Sequence, residues 1–210
     1  MTDLNQLREA IIKGRLDMAV ETTRAALAEG TDPQSIITDY MVPAMDRIGE
    51  MFEKNEAFVP ELLLAARAMK GSLELIQPLL AKTGDTARDK VIIGTVQGDL
   101  HDIGKNLVSS MLEGAGFNVI NIGNDVSPAK FVDAIGIHNP KIVAMSALLT
   151  TTMTSMEKTI SAINEAGLRD RVKIIIGGAP VSESFARKIG ADGYSENANS
   201  AVRLARSLVS

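Results

Sequence analysis

The sequence predicts an N-terminal four-helix bundle followed by a doubly wound α/β domain with a five-stranded parallel sheet. Upstream of residue 85 the apolar residues recur with helical periodicity only, whereas downstream short β-branched runs alternate five times with helical patterns. Between the two patterns, residues 82–89 are polar and lack apolar periodicity, which is typical of a linker. We therefore expect a helical domain at residues 1–85 and an α/β domain at residues 86–210.

Turn and start signals divide the N-terminal part into four helices with short loops. Gly14 and Gly30 break the helical pattern, Asp32 and Pro33 form a start signal, and Pro60 occupies a first helical position. The predicted helices lie near residues 2–13, 15–29, 33–53 and 60–80. Short loops between helices indicate a bundle. The methionines of these helices are interpreted as core residues: Met41, Met45, Met51 and Met69.

The C-terminal part alternates strands and helices as expected of successive βα units. The predicted strands lie at residues 91–96, 118–123, 141–147, 173–178 and 192–195. The predicted helices lie near residues 104–114, 128–137, 153–166, 182–189 and 198–209. This order predicts a parallel sheet with helices on both faces. In such a fold, ligands bind at the carboxyl ends of the strands.

Composition excludes several kinds of site and partner. A net charge of −4 without a run of like charges offers no basic surface for nucleic acid or an anionic membrane. The absence of cysteine excludes disulfides, thiolate zinc sites and iron–sulfur clusters. Because no signal peptide and no bilayer-spanning apolar stretch are recognisable, we expect a cytoplasmic protein with no nucleic-acid or membrane partner.

The most informative motif runs from Gly98 to Asn106, directly after the first predicted strand. It sets His101 two residues after Asp99, and a carboxylate bonded to one ring nitrogen orients an imidazole for metal ligation through the other. The alternative is a solvated loop histidine beside a helix-capping aspartate. The other histidine, His138, is interpreted as solvated in a turn. One histidine cannot hold zinc alone, so a metal here would take its other ligands from a cofactor such as a macrocycle.

Two further loops follow strands at the same predicted edge of the sheet. Residues 146–153 are rich in hydroxyl groups and contain a leucine pair, and Gly177–Gly178 follows the fourth strand. Hydroxyl groups can donate to a ligand, and glycines let a ligand approach the backbone closely. The plainer interpretations are helix N-caps and an ordinary strand-to-helix turn. Their coincidence with the histidine loop favours a ligand site.

Together these three segments resemble the signature of the cobalamin-binding family. The matching positions are Asp99-x-His101-x-x-Gly104, Ser146-x-Leu148 and Gly177-Gly178. In the helical half, residues 51–60 and 65–70 resemble the helical cap of cobalamin-dependent methionine synthase. The resemblance covers essentially the whole chain. It implies a helical cap followed by a flavodoxin-like or Rossmann-like cobalamin-binding domain.

The resemblance also implies roles for individual residues. His101 would be the axial ligand of cobalt in a corrinoid whose own lower base is detached, and Asp99 would hydrogen-bond His101. Thr152 stands where methionine synthase has a serine that completes this relay. The implied cofactor contacts from the histidine motif are Gly98, Leu100, Asp102 and Ile103. The implied lining of the nucleotide-tail groove is Gly104, Ser146, Leu148, Thr150, Gly177, Gly178, Tyr194 and Ala198. Phe52 and Val59 would cover the upper, reactive face of the corrin.

A methyl shuttle is the function that the resemblance implies, because small corrinoid proteins of this kind carry methyl groups between two methyltransferases in methanogenesis or acetogenesis. The chain would not be catalytic alone. The implied partners are a substrate-specific methyltransferase, an acceptor methyltransferase and a reductive activation protein. With 210 residues we expect a freestanding carrier, without the additional domains of methionine synthase. The methyl donor (methylamine, methanol, methoxyaromatic or betaine) and the acceptor (coenzyme M or tetrahydrofolate) stay open.

Three other functional classes are alternatives to a methyl shuttle. A cobalamin-dependent light sensor or regulator shares the fold but usually carries a DNA-binding segment. The N-terminal residues of this chain lack the excess of lysine and arginine that such a segment needs. The cobalamin subunit of a mutase is disfavoured because the apolar cap suits a small methyl ligand. A flavodoxin-like nucleotide binder would leave the cap sequence unexplained.

Overall fold

The computed structural model describes residues 2–83 and 89–209. They form two compact units, each considered by itself. The helical unit comprises the residues up to 83 together with 113–116, and the α/β unit comprises residues 89–112 and 117–209. The predicted domain boundary at residue 85 lies outside the described residues. No helix in these two described ranges has the length and apolar character needed to span a membrane.

The helical unit follows the predicted order of helices. Its segments are α1 (Leu4–Ile12), α2 (Leu16–Ala28), α3 (Pro33–Ser35), a π-helical stretch (Ile36–Met41), α4 (Val42–Glu53) and α5 (Val59–Thr83). Asp3 caps α1 by accepting from the Asn5 N–H, and Asp32 caps α3 by accepting from the Ser35 N–H. Gly14 and Gly30 end α1 and α2 with φ of +63° and +81°, a left-handed conformation that glycine adopts without steric cost.

The predicted helix at 33–53 is continuous but contains the π-helical stretch between α3 and α4. Pro43 explains its position, because proline has no N–H for an α-helical bond and its ring clashes with the preceding turn. The Val42 N–H bonds to the Ile37 carbonyl, five residues back, as in a π-helix. Met41, Met45 and Met69 are buried in the core as predicted, whereas Met51 is only half-buried.

The α/β unit confirms the predicted alternation. Its strands are β1 (Lys90–Thr95), β2 (Asn118–Asn121), β3 (Ile142–Ser146), β4 (Lys173–Gly177) and β5 (Gly193–Ser195). Its helices are α6 (Ile103–Gly114), α7 (Pro128–His138), α8 (Met153–Glu165), a short 3₁₀ turn (Arg169–Arg171), α9 (Glu183–Ile189) and α10 (Ala198–Val209). His138 is the last residue of α7 and is half-buried, and Asn139 caps the helix with φ of +48°.

All strand pairs are parallel, in the spatial order β2-β1-β3-β4-β5. The central strands are buried on both faces, as expected of a parallel sheet covered by helices. The order reverses direction between β1 and β3, and such a switch point leaves a crevice at the carboxyl ends of the two strands. Thr95 and Ser146 pair in register at those ends. The histidine loop and the hydroxyl-rich loop therefore begin side by side.

Candidate functional site

The loop after β1 leaves the sheet through a tight turn whose backbone groups are held from several sides. Gly98 has φ of +88°, which glycine tolerates and other residues rarely adopt. The buried Thr95 hydroxyl donates to the His101 carbonyl oxygen at 2.9 Å, and the Asp99 N–H donates to the Val96 carbonyl oxygen at 3.1 Å. The loop thus turns back on the strand that precedes it.

Asp99 is fully buried and accepts hydrogen bonds through both carboxylate oxygens. Its Oδ1 accepts from the His101 backbone N–H at 3.0 Å and lies 2.8 Å from the His101 Nδ1. Its Oδ2 accepts from the Leu148 N–H at 2.7 Å, the Leu149 N–H at 3.3 Å and the Thr152 hydroxyl at 2.7 Å. The carboxylate therefore joins the loop after β1 to the loop after β3.

The protonation state of Asp99 follows from these bonds. Burial alone raises the pKa of this carboxyl, but hydrogen bonds from Leu148, Thr152 and His101 outweigh it and hold the pKa well below its usual range. Asp99 is thus ionised at neutral pH. An ionised carboxylate only accepts hydrogen bonds, so each of its neighbours must donate.

His101 is consequently held in one tautomer. Because Nδ1 faces the ionised Asp99 at 2.8 Å, the neutral form of the ring carries its proton on Nδ1 and its lone pair on Nε2. The side chain is 51% exposed. Within the described residues Nε2 has no hydrogen-bond partner. This imidazole is therefore oriented for coordination through Nε2.

A metal at His101 needs ligands from a cofactor. Among residues 2–83 and 89–209 no group of three or more histidine, cysteine, aspartate or glutamate side chains could hold a metal ion. The two loops that meet at Asp99 also expose large apolar side chains, with Leu100 71% and Ile103 83% exposed and with Leu148 and Leu149 also exposed. Exposed leucine and isoleucine beside a single ligating nitrogen fit the face of a flat, largely apolar macrocycle carrying its own metal.

The three signature glycines differ in what surrounds them. A Cβ added at Gly104, in the first turn of α6, meets no atom within 4 Å, so the space beside it is open to a ligand. A Cβ at Gly177 would lie 3.0 Å from the Ser195 carbonyl oxygen. Gly178 has φ of +131°, and its added Cβ would overlap the Ala147 carbonyl oxygen. Glycine is therefore required by the packing of the chain itself at Gly178, and a side chain at Gly177 would be crowded against Ser195.

The remaining predicted residues are spread over both units. Ser146 is half-buried at the end of β3, and Asp102 and Thr150 are exposed in the two loops. Tyr194 is half-buried in the edge strand β5, whereas Ala198 is buried at the start of α10. Phe52 is half-buried near the end of α4, and Val59 is exposed at the start of α5. Their roles at the corrin stay predictions.

Several residues that support the site were not predicted from the sequence. Thr95 holds the His101 carbonyl, and Leu149 adds a backbone donor to Asp99. Lys105 is buried beside the loop, and its Nζ donates to Asn106 Oδ1 at 2.7 Å and to Asn121 Oδ1 at 2.9 Å. Burial lowers the pKa of Lys105, against a smaller raising effect of Asp102. Thr95 could have been found from the sequence, because it is a polar residue at the end of an apolar strand. The backbone N–H of Leu149 could not, because a backbone donor gives no signal in the sequence.

The comparisons with known proteins identify both parts of the chain. Two family models, each described as a B12 binding domain, match residues 89–203 and residues 3–77. These matches define a corrinoid-binding protein, as the sequence predicted. The chain belongs to the family of B12-binding corrinoid proteins.

Relatives and solved structures extend over nearly the whole chain. The trimethylamine corrinoid protein 2 of Methanosarcina mazei is 44% identical over 188 residues, which covers 89% of this chain and 86% of that protein. A cobalamin-binding protein from Desulfitobacterium hafniense DCB-2 is similar with a TM-score of 0.84 and 33% identity, covering 100% of both chains. In the methanol:cobalamin methyltransferase complex MtaBC from Methanosarcina barkeri, one chain is similar with a TM-score of 0.82 and 28% identity, covering 98% of this chain and 79% of that chain.

Proposed function

We propose that this chain is the corrinoid-carrying methyl shuttle of a multi-component methyltransferase system. One observation supports it above the others: His101 presents its Nε2 from an exposed ring whose Nδ1 lies 2.8 Å from the buried carboxylate of Asp99. The names of the relatives support the methyltransferase context, because they include a trimethylamine corrinoid protein and a methanol:cobalamin methyltransferase complex. His101 would hold the cobalt of the corrinoid through Nε2, in the base-off, His-on state.

The protein's own residues tune this ligand. When bound, the corrinoid supplies the cobalt that accepts and releases the methyl group. Asp99 keeps the proton on Nδ1 and draws it toward the carboxylate, which raises the donor strength of Nε2. Thr152 and the Leu148 N–H keep Asp99 ionised by donating to Oδ2. The relay from His101 through Asp99 to Thr152 thus controls how strongly the protein donates to cobalt.

The open side of the site receives the nucleotide tail of the corrinoid. Gly104 leaves free space at the start of α6, and Ser146 and Thr150 place hydroxyl groups at the adjoining strand ends. Leu100 and Ile103 present apolar surface beside the imidazole. The proposed tail groove therefore runs from the imidazole past Gly104 between the loops after β1 and β3.

The proposed partners follow from the carrier role. A substrate-specific methyltransferase loads the methyl group, an acceptor methyltransferase removes it, and a reductive activation protein restores the reduced carrier. Trimethylamine and methanol are the donors that the relatives' names suggest. The cytoplasmic location stays a prediction from the sequence.

Replacing His101 tests the proposal most directly. We expect His101→Ala to remove the nitrogen hyperfine splitting from the paramagnetic resonance spectrum of the cobalt(II) protein, because no other described side chain offers an imidazole at this loop. The full-length protein is labelled with ¹⁵N-histidine, reconstituted with hydroxocobalamin, reduced to cobalt(II) and measured beside the variant. The splitting that counts is the ¹⁵N doublet, which the ¹⁴N of the corrinoid's own lower base cannot produce. Secondary structure should be unchanged, since the imidazole is exposed.

His138→Ala is the matched control, because His138 is the chain's only other histidine. It should keep the hyperfine splitting. If the splitting is absent from the unaltered protein, or persists in His101→Ala, the His-on assignment is wrong. If neither the unaltered protein nor His138→Ala retains corrinoid, a nucleotide-binding function returns as the alternative.

Enlarging Gly104 should block the groove without destabilising the protein. We expect Gly104→Leu to weaken corrinoid binding by at least about tenfold, or ~1.4 kcal/mol, because the side chain fills the open space at the start of α6 through which the proposed groove runs. Binding is measured by titration with hydroxocobalamin, and stability by thermal unfolding. Gly136→Leu in α7 is the control, since its added side chain also meets open space. Equal affinity in both variants would contradict the position of the groove.

A further inference from the structure

The segment between β2 and α7, residues 122–126, runs beside the end of β1 and is fixed to it. The Thr95 N–H donates to the Gly123 carbonyl oxygen, and the Val126 N–H donates to the Thr95 carbonyl oxygen, each at 3.0 Å. Val126 is buried and forms a parallel bridge with Val96. This segment therefore has a defined position relative to the strand from which the histidine loop departs.

Asp125 makes two bonds to the residues that carry the site. Its Oδ1 accepts from the Gly98 N–H at 2.7 Å, and its own N–H donates to the Asp99 carbonyl oxygen at 3.0 Å. The two bonds bracket the backbone of Gly98 and Asp99 from one side. The direction in which the Asp99 side chain leaves the backbone is thus set by a residue more than twenty positions further along the chain.

The same contact requires unusual backbone conformations at both ends. Gly98 has φ of +88° and Asp125 has φ of +51°. A non-glycine residue with positive φ costs free energy, and it persists where the surrounding structure determines it. The neighbouring Asn124 adds a bond from its Nδ2 to the Leu100 carbonyl oxygen at 3.2 Å. Consecutive residues of the segment thus hold the loop on both sides of Asp99.

We propose that Asp125 is a positioning residue for the axial ligand, acting through the backbone of Gly98 and Asp99. Asp125 fixes the direction of the Asp99 carboxylate, and Asp99 in turn fixes the tautomer and orientation of His101. The role in ligation rests on the proposed function, whereas the effect on the His101 tautomer does not.

Three variants separate the contributions of Asp125. Asp125→Gly removes the acceptor while tolerating the positive φ, so that backbone strain does not confuse the result. Asp125→Asn keeps an acceptor oxygen and tolerates the same φ. Asp125→Glu keeps the charge but displaces the carboxylate by one methylene group. Asp133→Asn, an exposed carboxylate of α7 outside the bonds to this loop, is the control.

The first readout needs no cofactor. Long-range proton–nitrogen correlation spectra of the full-length protein at alkaline pH report which ring nitrogen carries the proton, and His138 serves as the internal reference. We expect a single Nδ1-protonated form of His101 in the unaltered protein, Asp125→Asn and Asp133→Asn. In Asp125→Gly and Asp125→Glu the ring nitrogens should shift toward the values of a tautomer mixture. A single tautomer in both of these variants would overturn the inference.

The second readout uses the protein reconstituted with hydroxocobalamin and reduced to cobalt(II). Asp125→Gly should lose part of the nitrogen hyperfine signal and bind corrinoid about tenfold more weakly, with Asp125→Asn close to the unaltered protein. A full hyperfine signal and unchanged affinity in Asp125→Gly would overturn the positioning role. If His101→Ala keeps the splitting, the proposed function fails instead, and the tautomer spectra still decide whether Asp125 positions Asp99. Should Asp125→Gly fail to fold, Asp125→Glu decides both readouts.

Discussion

Asp99→Asn should lower the free energy of unfolding of the α/β unit by about 3–5 kcal/mol. The buried carboxylate accepts from backbone N–H groups, a hydroxyl and a ring nitrogen, and an amide would present an NH₂ group to one side of this set of donors. Those donors would be left buried and unsatisfied. The same substitution releases the His101 tautomer, so corrinoid binding should weaken together with stability.

The loss can be measured because the chain has no tryptophan and only two tyrosines. In a Tyr40→Phe background, the fluorescence of Tyr194 in β5 reports urea unfolding of the α/β unit. Asp102→Asn is the matched control, since Asp102 is exposed in the same loop. If Asp99→Asn and Asp102→Asn unfold at the same urea concentration, Asp99 does not connect the two loops as described.

The difference in unfolding free energy between the unaltered protein and Asp99→Asn should depend on pH in a direction that follows from the pKa of Asp99. The pKa of Asp99 is lower in the folded than in the unfolded chain, so its contribution to stability is complete above the unfolded value of about 3.9. The contribution is lost progressively as the pH falls from there toward the folded value. The stability gap between the unaltered protein and Asp99→Asn should therefore be constant near neutral pH and narrow below about pH 4.

The order of elements could be predicted because it depends on local periodicity. Short apolar strands alternating with helical patterns specify a parallel sheet, whereas the strand order and the switch between β1 and β3 are seen only in the structure. His101 and Asp99 could be paired because the contact spans only two residues of sequence. Thr152, in contrast, came from the resemblance to a known family, since no local pattern connects it to Asp99.

The partners of Asp99 could not be predicted in the same way. Leu148 and Leu149 contribute backbone N–H groups, which every residue except proline carries, so their side chains give no signal. Asp125 lies in a loop where aspartate is common, and its role depends on how that loop lies against the end of β1. The π-helical stretch could not be predicted, because the helical pattern of residues 33–53 continues through Pro43.

Only the three-dimensional structure distinguishes the roles of the signature glycines. From the sequence, Gly104 and the pair Gly177–Gly178 look equivalent, because all would let a ligand approach the backbone. In the structure Gly104 borders open space, whereas Gly178 touches the Ala147 backbone. Substitutions at the two positions should consequently fail for different reasons: loss of binding at Gly104 and loss of folding stability at Gly178.

Gly178→Ala should destabilise the α/β unit by about 3–5 kcal/mol. The added Cβ would overlap the Ala147 carbonyl oxygen, and φ of +131° is rarely adopted by alanine. Neither the strand ends nor the carbonyl can move freely, because the Ala147 N–H donates to the Gly177 carbonyl oxygen at 3.2 Å. Relief would require the loops after β3 and β4 to separate.

Separating the loops after β3 and β4 would also disturb the support of Asp99. Ala147 immediately precedes Leu148, whose N–H donates to Asp99 at 2.7 Å, so a displaced Ala147 weakens the support of the carboxylate. Gly136→Ala is the control, because its Cβ meets open space within helix α7 and should stabilise the protein by about 0.5–1 kcal/mol. Both variants are compared by urea unfolding through Tyr194 fluorescence. A Gly178→Ala protein as stable as Gly136→Ala would contradict the close approach to Ala147 and return Gly178 to a role in ligand binding alone.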